Sequence, residues 1–320
     1  MKARDAVLPK RAAARRTGRE ETAVHSNDVT GMTDALARAV MRPGPAAGVI
    51  DRCVLTVGSP GYEEWVEGLF GSILAHARQA PPTLALFALA DDAAALEPLA
   101  ALAARYGALC YPCQPLRRPN PTSKAILYTA ARVIPARRFV CLDADMIVFT
   151  DLDPLFTVMD ACAPGSLLVC REANDHRYTD LSHILRTAYQ GGSPPFFDQE
   201  SALAAYPLVV NDGLFAGDRA ALLALDQAVR DLPGAIAWVD EDPAIDWRNQ
   251  FVFNTAIAGL ANVVELDPTW DVQLHAQQVE VAAGEGRPVA RWSGQDVRVL
   301  HFCAPAKHMH PELRAWARTL

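Results

Sequence analysis

Two aspartates one residue apart carry the strongest chemical signal in the chain. They lie in Arg138-Phe139-Val140-Cys141-Leu142-Asp143-Ala144-Asp145-Met146-Ile147-Val148-Phe149, where an apolar strand runs into Asp-Ala-Asp and apolar residues resume. Side chains alternate along extended chain, so Asp143 and Asp145 point the same way. Two carboxylates at the mouth of a buried strand repel one another unless a cation sits between them or both face water. Oxygen donors of this kind suit Mg²⁺ or Mn²⁺, which share their remaining positions with a diphosphate. Near the C-terminus, Val297-Arg298-Val299-Leu300-His301-Phe302-Cys303-Ala304-Pro305-Ala306-Lys307 delivers His301 to a strand edge and Lys307 to the loop after it. Imidazole is a good Mn²⁺ ligand, and a lysine ammonium is a good point charge for a phosphate.

Other groups read more plainly. Taken alone, a strand-end histidine is more often structural than a ligand. His301, Cys303, His308 and His310 match no dependable zinc spacing. In the second Asp-x-Asp, Asp151-Leu152-Asp153, the pattern predicts Asp153 as a helix N-cap with Pro154 at the first helical position. Asp240-Glu241-Asp242 reads as a solvated turn.

The elements that must position these groups alternate. Strands are predicted over 51–57, 84–90, 108–111 and 138–142, with helices over 62–77, 93–105 and 123–133 between them. Such alternation implies a mostly parallel sheet covered by helices on both faces, with ligands beyond the carboxyl ends of the strands. The second half is less regular. Strands are expected over 167–170, 208–215, 263–266 and 297–301, and helices over 220–230 and 246–259. Residues 174–199 are polar, aromatic and aperiodic, as a segment lining a site would be. His176, Arg177, Tyr178, Phe196 and Phe197 are candidate acceptor contacts there.

Composition bounds the function. The 320 residues carry a net charge of −7. Residues 1–45 are basic, at +4, and the rest is acidic, at −11. An acidic body argues against nucleic acid as partner. Residues 1–45 read as a disordered basic segment and residues 46–320 as one folded domain. No run approaches the length of a membrane span, and Met1–Glu21 lacks the apolar core of a secretory signal, so a cytoplasmic address is expected. The seven cysteines are odd in number and mostly set in apolar runs, as reduced buried thiols are. Cys110 and Cys113 have redox or zinc spacing but no second pair to complete a site.

The order of these motifs resembles glycosyltransferase family 8, the group of glycogenin and the bacterial lipooligosaccharide galactosyltransferases, over roughly residues 51–311. Val54-Leu55-Thr56 with Tyr62 is similar to its first strand and nucleobase loop. Thr122-Ser123-Lys124 is similar to the segment whose lysine meets the donor. Leu142-Asp143-Ala144-Asp145-Met146, followed by Asp151-Leu152-Asp153-Pro154-Leu155-Phe156, is the best match. Asn211-Asp212-Gly213-Leu214-Phe215 resembles the block at the sugar, and Asn249-Gln250-Phe251-Val252-Phe253-Asn254 the Asp-Gln-x-x-x-Asn block. The step from His301 to Lys307 matches that from metal histidine to phosphate lysine. Three positions depart from the pattern. Asn249 stands for an Asp, Asp212 for a small residue, and Ala304 for a glycine that lets the loop close on the diphosphate.

The resemblance implies a GT-A-type α/β fold and transfer of a hexose from a nucleotide sugar, UDP-glucose or UDP-galactose, with retention of configuration. It implies Mn²⁺ or Mg²⁺ on Asp143, Asp145 and His301, and donor contacts from Thr56, Tyr62, Lys124, Ala144, Asn211, Asp212, Asn249, Gln250 and Lys307. Asn211, Gln250 and Lys307 would act on the reacting centre. Structural roles compete at several positions: Lys124 as a solvated first-turn residue, Tyr62 as ordinary packing, Asn211 and Gln250 as buried amides. Acceptor identity is open, and a homodimer is allowed. A nucleotidyltransferase would share fold type and metal, but Gly58-Ser59-Pro60-Gly61-Tyr62 lacks the basic residues that grip a triphosphate. A non-catalytic sugar-nucleotide binder is the other alternative.

Overall fold

The structure is a computed structural model that describes residues 48–90, 92–113, 121–173, 209–232, 248–284, 288–303 and 307–320. The segment 1–47, the candidate acceptor contacts between 176 and 197, the acidic turn at 240–242 and Ala304 lie outside the described residues. In chain order the main strands are β1 (Ile50–Gly58), β2 (Thr83–Leu89), β3 (Leu109–Cys113), β4 (Ala136–Leu142), β5 (Met146–Val148), β6 (Leu167–Arg171), β7 (Val210–Asp218), β8 (Val263–Glu265) and β9 (Val272–Gln273). They are followed by β10 (Glu280–Ala283), β11 (Pro288–Trp292), β12 (Gln295–Asp296) and β13 (Val299–His301). The helices are α1 (Glu63–His76), α2 (Ala93–Arg105), α3 (Ala130–Val133), α4 (Asp153–Ala161), α5 (Arg219–Arg230), α6 (Arg248–Ala258) and α7 (Pro311–Ala317).

A seven-stranded sheet, in the order β3-β2-β1-β4-β7-β6-β8, forms the centre. β1, β2, β3 and β4 are parallel, as are β6 and β8, while β7 runs antiparallel to both neighbours. The inner strands are continuous apolar runs because both faces are covered. Cys53, Leu55, Phe139 and Cys141 pack on one face with α5 and α6 residues such as Leu222, Leu225 and Phe253. Val54, Val140 and Leu142 pack on the other with Val66, Leu69, Phe70 and Ile73 of α1. Those four α1 residues recur at three- and four-residue steps, which puts them on one helical face.

The antiparallel entry of β7 matters most. It brings the start of that strand, Val210 to Gly213, beside the carboxyl end of β4, with Leu142 opposite Leu214. The carboxyl ends of β1, β4 and β6 and the start of β7 therefore share one edge. A second sheet, β5-β13-β9, crosses that edge. Within it, His301 of β13 is paired with Met146 of β5 and Gln273 of β9. β10, β11 and β12 form a separate antiparallel meander.

The strand and helix expectations hold for the first half within a few residues. Three details differ. The predicted helix over 123–133 is a 3₁₀ segment over Pro121–Thr129, becoming α-helical only at Ala130. α4 begins at Asp153 with Leu152 in the cap position, so Asp153 is not the N-cap. Its carboxylate instead meets Arg52, and Asp151 accepts a hydrogen bond from the Asp153 amide at 3.0 Å. The last strand covers 299–301, shorter than expected.

Candidate functional site

Asp143 follows β4 directly, and Asp145 precedes β5. The turn between them is held from both sides: the Asp143 amide donates to Gly213 O (2.8 Å), and the Phe302 amide donates to Asp145 O (2.9 Å). β13 then presents the His301 imidazole to both carboxylates. Its Nε2 lies 3.4 Å from Asp143 Oδ2 and 3.5 Å from Asp145 Oδ1. Asp145 is 8 % exposed and His301 4 %. One ligand atom from each of the three residues lies within 4.8 Å of the others, and no other such group of three occurs among the described residues.

The residues fit a divalent cation. Neighbouring ligands about 2.1 Å from a six-coordinate ion stand about 3 Å apart, close to the Asp–His separations. Two carboxylates with one imidazole form a donor set suited to Mn²⁺. The ring is aimed by a carboxylate on its far side: His301 Nδ1 donates to Asp271 Oδ1 at 3.1 Å, leaving Nε2 for the site. Asp271 is 2 % exposed and sits between Trp270 and Val272 of the buried wall. The site is also closely fitted. A Cβ on Gly213 would come 2.7 Å from His301 Nδ1 and 2.6 Å from Asn211 Oδ1, so only glycine passes there.

Two lysines flank the carboxylates. Lys124 Nζ bonds Asp143 Oδ2 (2.6 Å) and Asp212 Oδ1 (2.8 Å), so it is an ion-paired residue and not a solvated first-turn lysine. Asp212 also accepts from Tyr128 OH (2.9 Å) and Asn249 Nδ2 (2.6 Å). Two of the departures from the family pattern are thus direct partners. Lys307 Nζ lies 3.2 Å from Asp145 Oδ2, donates to Tyr62 OH at 2.7 Å, and stands 4.6 Å above the Tyr62 ring centre. Burial alone would neutralise these lysines, yet Asp143 and Asp212 hold Lys124 charged, and Asp145 with Tyr62 hold Lys307 charged, both above the ordinary lysine value. Burial likewise opposes ionisation of Asp145, but His301 and Lys307 bring its pKa down to about 2.

The amides form a second group on the far side of β4 from Tyr62. Asn211 Nδ2 and Gln250 Nε2 both donate to Glu172 Oε2, at 2.9 and 2.8 Å. Asn211 Oδ1 accepts from the Gly213 amide at 2.7 Å. Asn254, one helical turn after Gln250, ties α6 to β7 by bonding both the amide and carbonyl of Val210 at 2.8 Å.

The structure therefore brings Asp143, Asp145, His301, Lys307, Lys124, Asp212, Asn249, Asn211 and Gln250 into one continuous network, with Ala144 buried between the two aspartates and Tyr62 under Lys307. Thr56 stands apart. It is fully buried in β1, and its hydroxyl has no hydrogen-bond partner among the described residues. Sequence reasoning misses Asp271, Glu172, Tyr128 and the contact at Gly213. Asp271 alone leaves a trace, as a charge between two apolar residues in Trp270-Asp271-Val272.

No family model matches the sequence, and no curated protein does. Solved structures match along most of this chain. Galactosyltransferase LgtC in complex with donor and acceptor sugar analogs superposes with a TM-score of 0.51 at 15 % identity, over 83 % of this chain and 92 % of that one. Mouse xyloside xylosyltransferase 1 gives 0.47 at 15 % identity, over 80 % and 99 %. Glycosyltransferase GlyE of Streptococcus pneumoniae gives 0.49 at 13 %, over 83 % and 61 %. At such identities the shared property is the fold, and the match to LgtC carries it. The chain has the GT-A glycosyltransferase fold.

Proposed function

We propose that this chain is a metal-dependent glycosyltransferase that moves a hexose from a nucleotide sugar, UDP-glucose or UDP-galactose, to an acceptor with retention of configuration. One observation carries the reading: Asp143, Asp145 and His301 converge on a single point with a lysine on either side. A cluster of this charge pattern serves a bound cation and the anion it neutralises. A Mn²⁺ or Mg²⁺ ion held there supplies Lewis acidity at the diphosphate.

The remaining work falls to side chains. Lys307, which bonds Asp145 and Tyr62, is placed to turn its ammonium to the departing phosphate. Lys124 adds a second positive charge from the Asp143 side. Tyr62 follows β1 and offers a ring face for the nucleobase. In this reading Asn211 and Gln250, on the β7 side of β4, bond the hexose, and the Gln250 carbonyl oxygen supports positive character at the anomeric carbon. Asp212 holds Lys124 from behind, and Asn249 in turn bonds Asp212.

Radiolabelled UDP-glucose and UDP-galactose, with and without Mn²⁺, test the reading. Release of UDP that needs the ion and disappears in Asp145→Asn supports it. Nucleotide-sugar binding without any turnover would assign the chain to the non-catalytic alternative.

A further inference from the structure

Glu172 follows β6 at the shared edge and is 8 % exposed. A buried carboxylate is costly unless its oxygens are satisfied. Here one oxygen, Oε2, receives the side-chain N–H groups of both Asn211 and Gln250. The other, Oε1, lies 3.7 Å from His275 Nε2. An amide whose nitrogen is committed to an acceptor has its oxygen fixed on the other arm of the planar group. Glu172 thereby decides which end of two amides, from two different elements, each presents. The Gly213 amide, which donates to Asn211 Oδ1 at 2.7 Å, holds Asn211 from its other end as well, so without Glu172 it is chiefly Gln250 whose two ends, opposite in hydrogen-bonding character, can exchange.

Sheet order says which part of a ligand this affects. β4 carries Asp143 at its end. Tyr62 follows β1 on one side of it, whereas Asn211 on β7 and Glu172 after β6 lie on the other. A ligand centred on the cation site therefore meets Tyr62 with one end and the Glu172 amides with the other.

We propose that Glu172 is the positioning residue of the sugar end of this site: it fixes the Asn211 and Gln250 amides so that their oxygens and not their nitrogens face a hexose. The inference rests on the nucleotide-sugar reading above. Glu172 acts through hydrogen-bond acceptance and not through charge, which makes glutamine a competent replacement. In Glu172→Gln the introduced amide oxygen takes the place of Oε2 and still accepts both N–H groups, whereas a methionine side chain of similar length accepts neither.

The experiment compares binding of UDP and of UDP-hexose, both with Mn²⁺, to the full chain and to Glu172→Met, Glu172→Gln, Gln250→Ala and Glu172→Met/Gln250→Ala. Glu172→Met is expected to weaken UDP-hexose about tenfold while UDP stays within about twofold, the loss of two oriented hydrogen bonds. Glu172→Gln is expected to stay within about threefold for both ligands, and the double variant to lose less than the product of the single losses. Unchanged UDP binding shows that the methionine variant is folded. Equal loss of UDP and UDP-hexose, a glutamine variant as poor as methionine, or strict multiplication in the double variant would each overturn the assignment. Should the unaltered chain bind neither ligand, the nucleotide-sugar reading itself falls, and this inference with it.

Discussion

Gly213 and His301 touch so closely that a single added methyl group at 213 would stand 2.7 Å from the imidazole Nδ1. The contact lies between β7 and β13, strands that belong to different sheets. Ring and backbone can both keep their places only while residue 213 has no side chain. Gly213→Ala is therefore expected to push the ring off the two aspartates and lower Mn²⁺ affinity about 100-fold, at the upper end of what disturbing a ligand's support costs. Titration calorimetry with Mn²⁺ checks this, and an alanine variant that binds the ion normally would show that the ring has room to yield.

Asp271 holds the same ring from the other side. Asp271→Asn keeps the shape but offers Nδ1 a weaker acceptor, so Mn²⁺ affinity is expected to fall about tenfold. Asp271→Ala leaves a buried imidazole nitrogen unpaired and is expected to cost more, both in affinity and in melting temperature. Equal Mn²⁺ affinity across the three proteins would mean that β13 alone fixes the ring.

Metal binding should expel a proton. Burial by itself would keep His301 neutral, but Cys303, Asp271 and the bonds to Asp143 and Asp145 carry its pKa well above the usual 6.5. A metal ligand must be the neutral ring. Mn²⁺ affinity is therefore expected to fall as pH falls, by about tenfold per unit while one proton is displaced. In the ion-free chain the sign is reversed. The pairing adds stability that is complete below about 6.5, the unfolded value, and is lost as pH rises through the folded value. Calorimetry in two buffers of different ionisation enthalpy reads the released proton directly; identical heats in both would contradict its release.

Asp212 and Asn249 meet at 2.6 Å, and the Asp212 carboxylate is the charge behind Lys124. Asp212→Asn takes away one of the two carboxylates that bond Lys124, leaving Asp143, and is expected to reduce UDP release about tenfold. Asn249→Asp alone sets two carboxylates side by side and is expected to lower the melting temperature. The exchanged pair, Asp212→Asn with Asn249→Asp, restores one carboxylate and one amide to the same space. Its turnover is expected to recover to within about threefold of the original. A double variant worse than either single one would show that the carboxylate must sit on β7.

The parallel half of the sheet is legible in the sequence because buried parallel strands are unbroken apolar runs between helices of clear period. Asp143 is legible because it ends such a run, Asp145 because it alternates with Asp143, and His301 because it closes a short apolar stretch near the C-terminus. β5, β9 and β13 span only two or three residues, too few to show a period, so the sheet that carries His301 to the aspartates leaves no pattern of its own. The direction of β7 is equally hidden, and with it the pairing of Asp212 with Lys124. Glu172 and Asp271 cannot be found by spacing, because each meets its partner across about 30 residues or more of chain. The competing reading of Lys124 as a solvated first-turn residue fails for the same reason: local sequence places it at a helix start, while two distant aspartates decide its surroundings.

β13 is the middle strand of its small sheet, and it comes late in the chain. During synthesis the two aspartates, Lys124 and every amide of the site emerge before the imidazole does. β13 pairs with both β5 and β9, so the inner edges of those two strands are satisfied only through it. The candidate cation site is therefore complete only with β13 in place, and a chain cut short ahead of β13 would lack its imidazole.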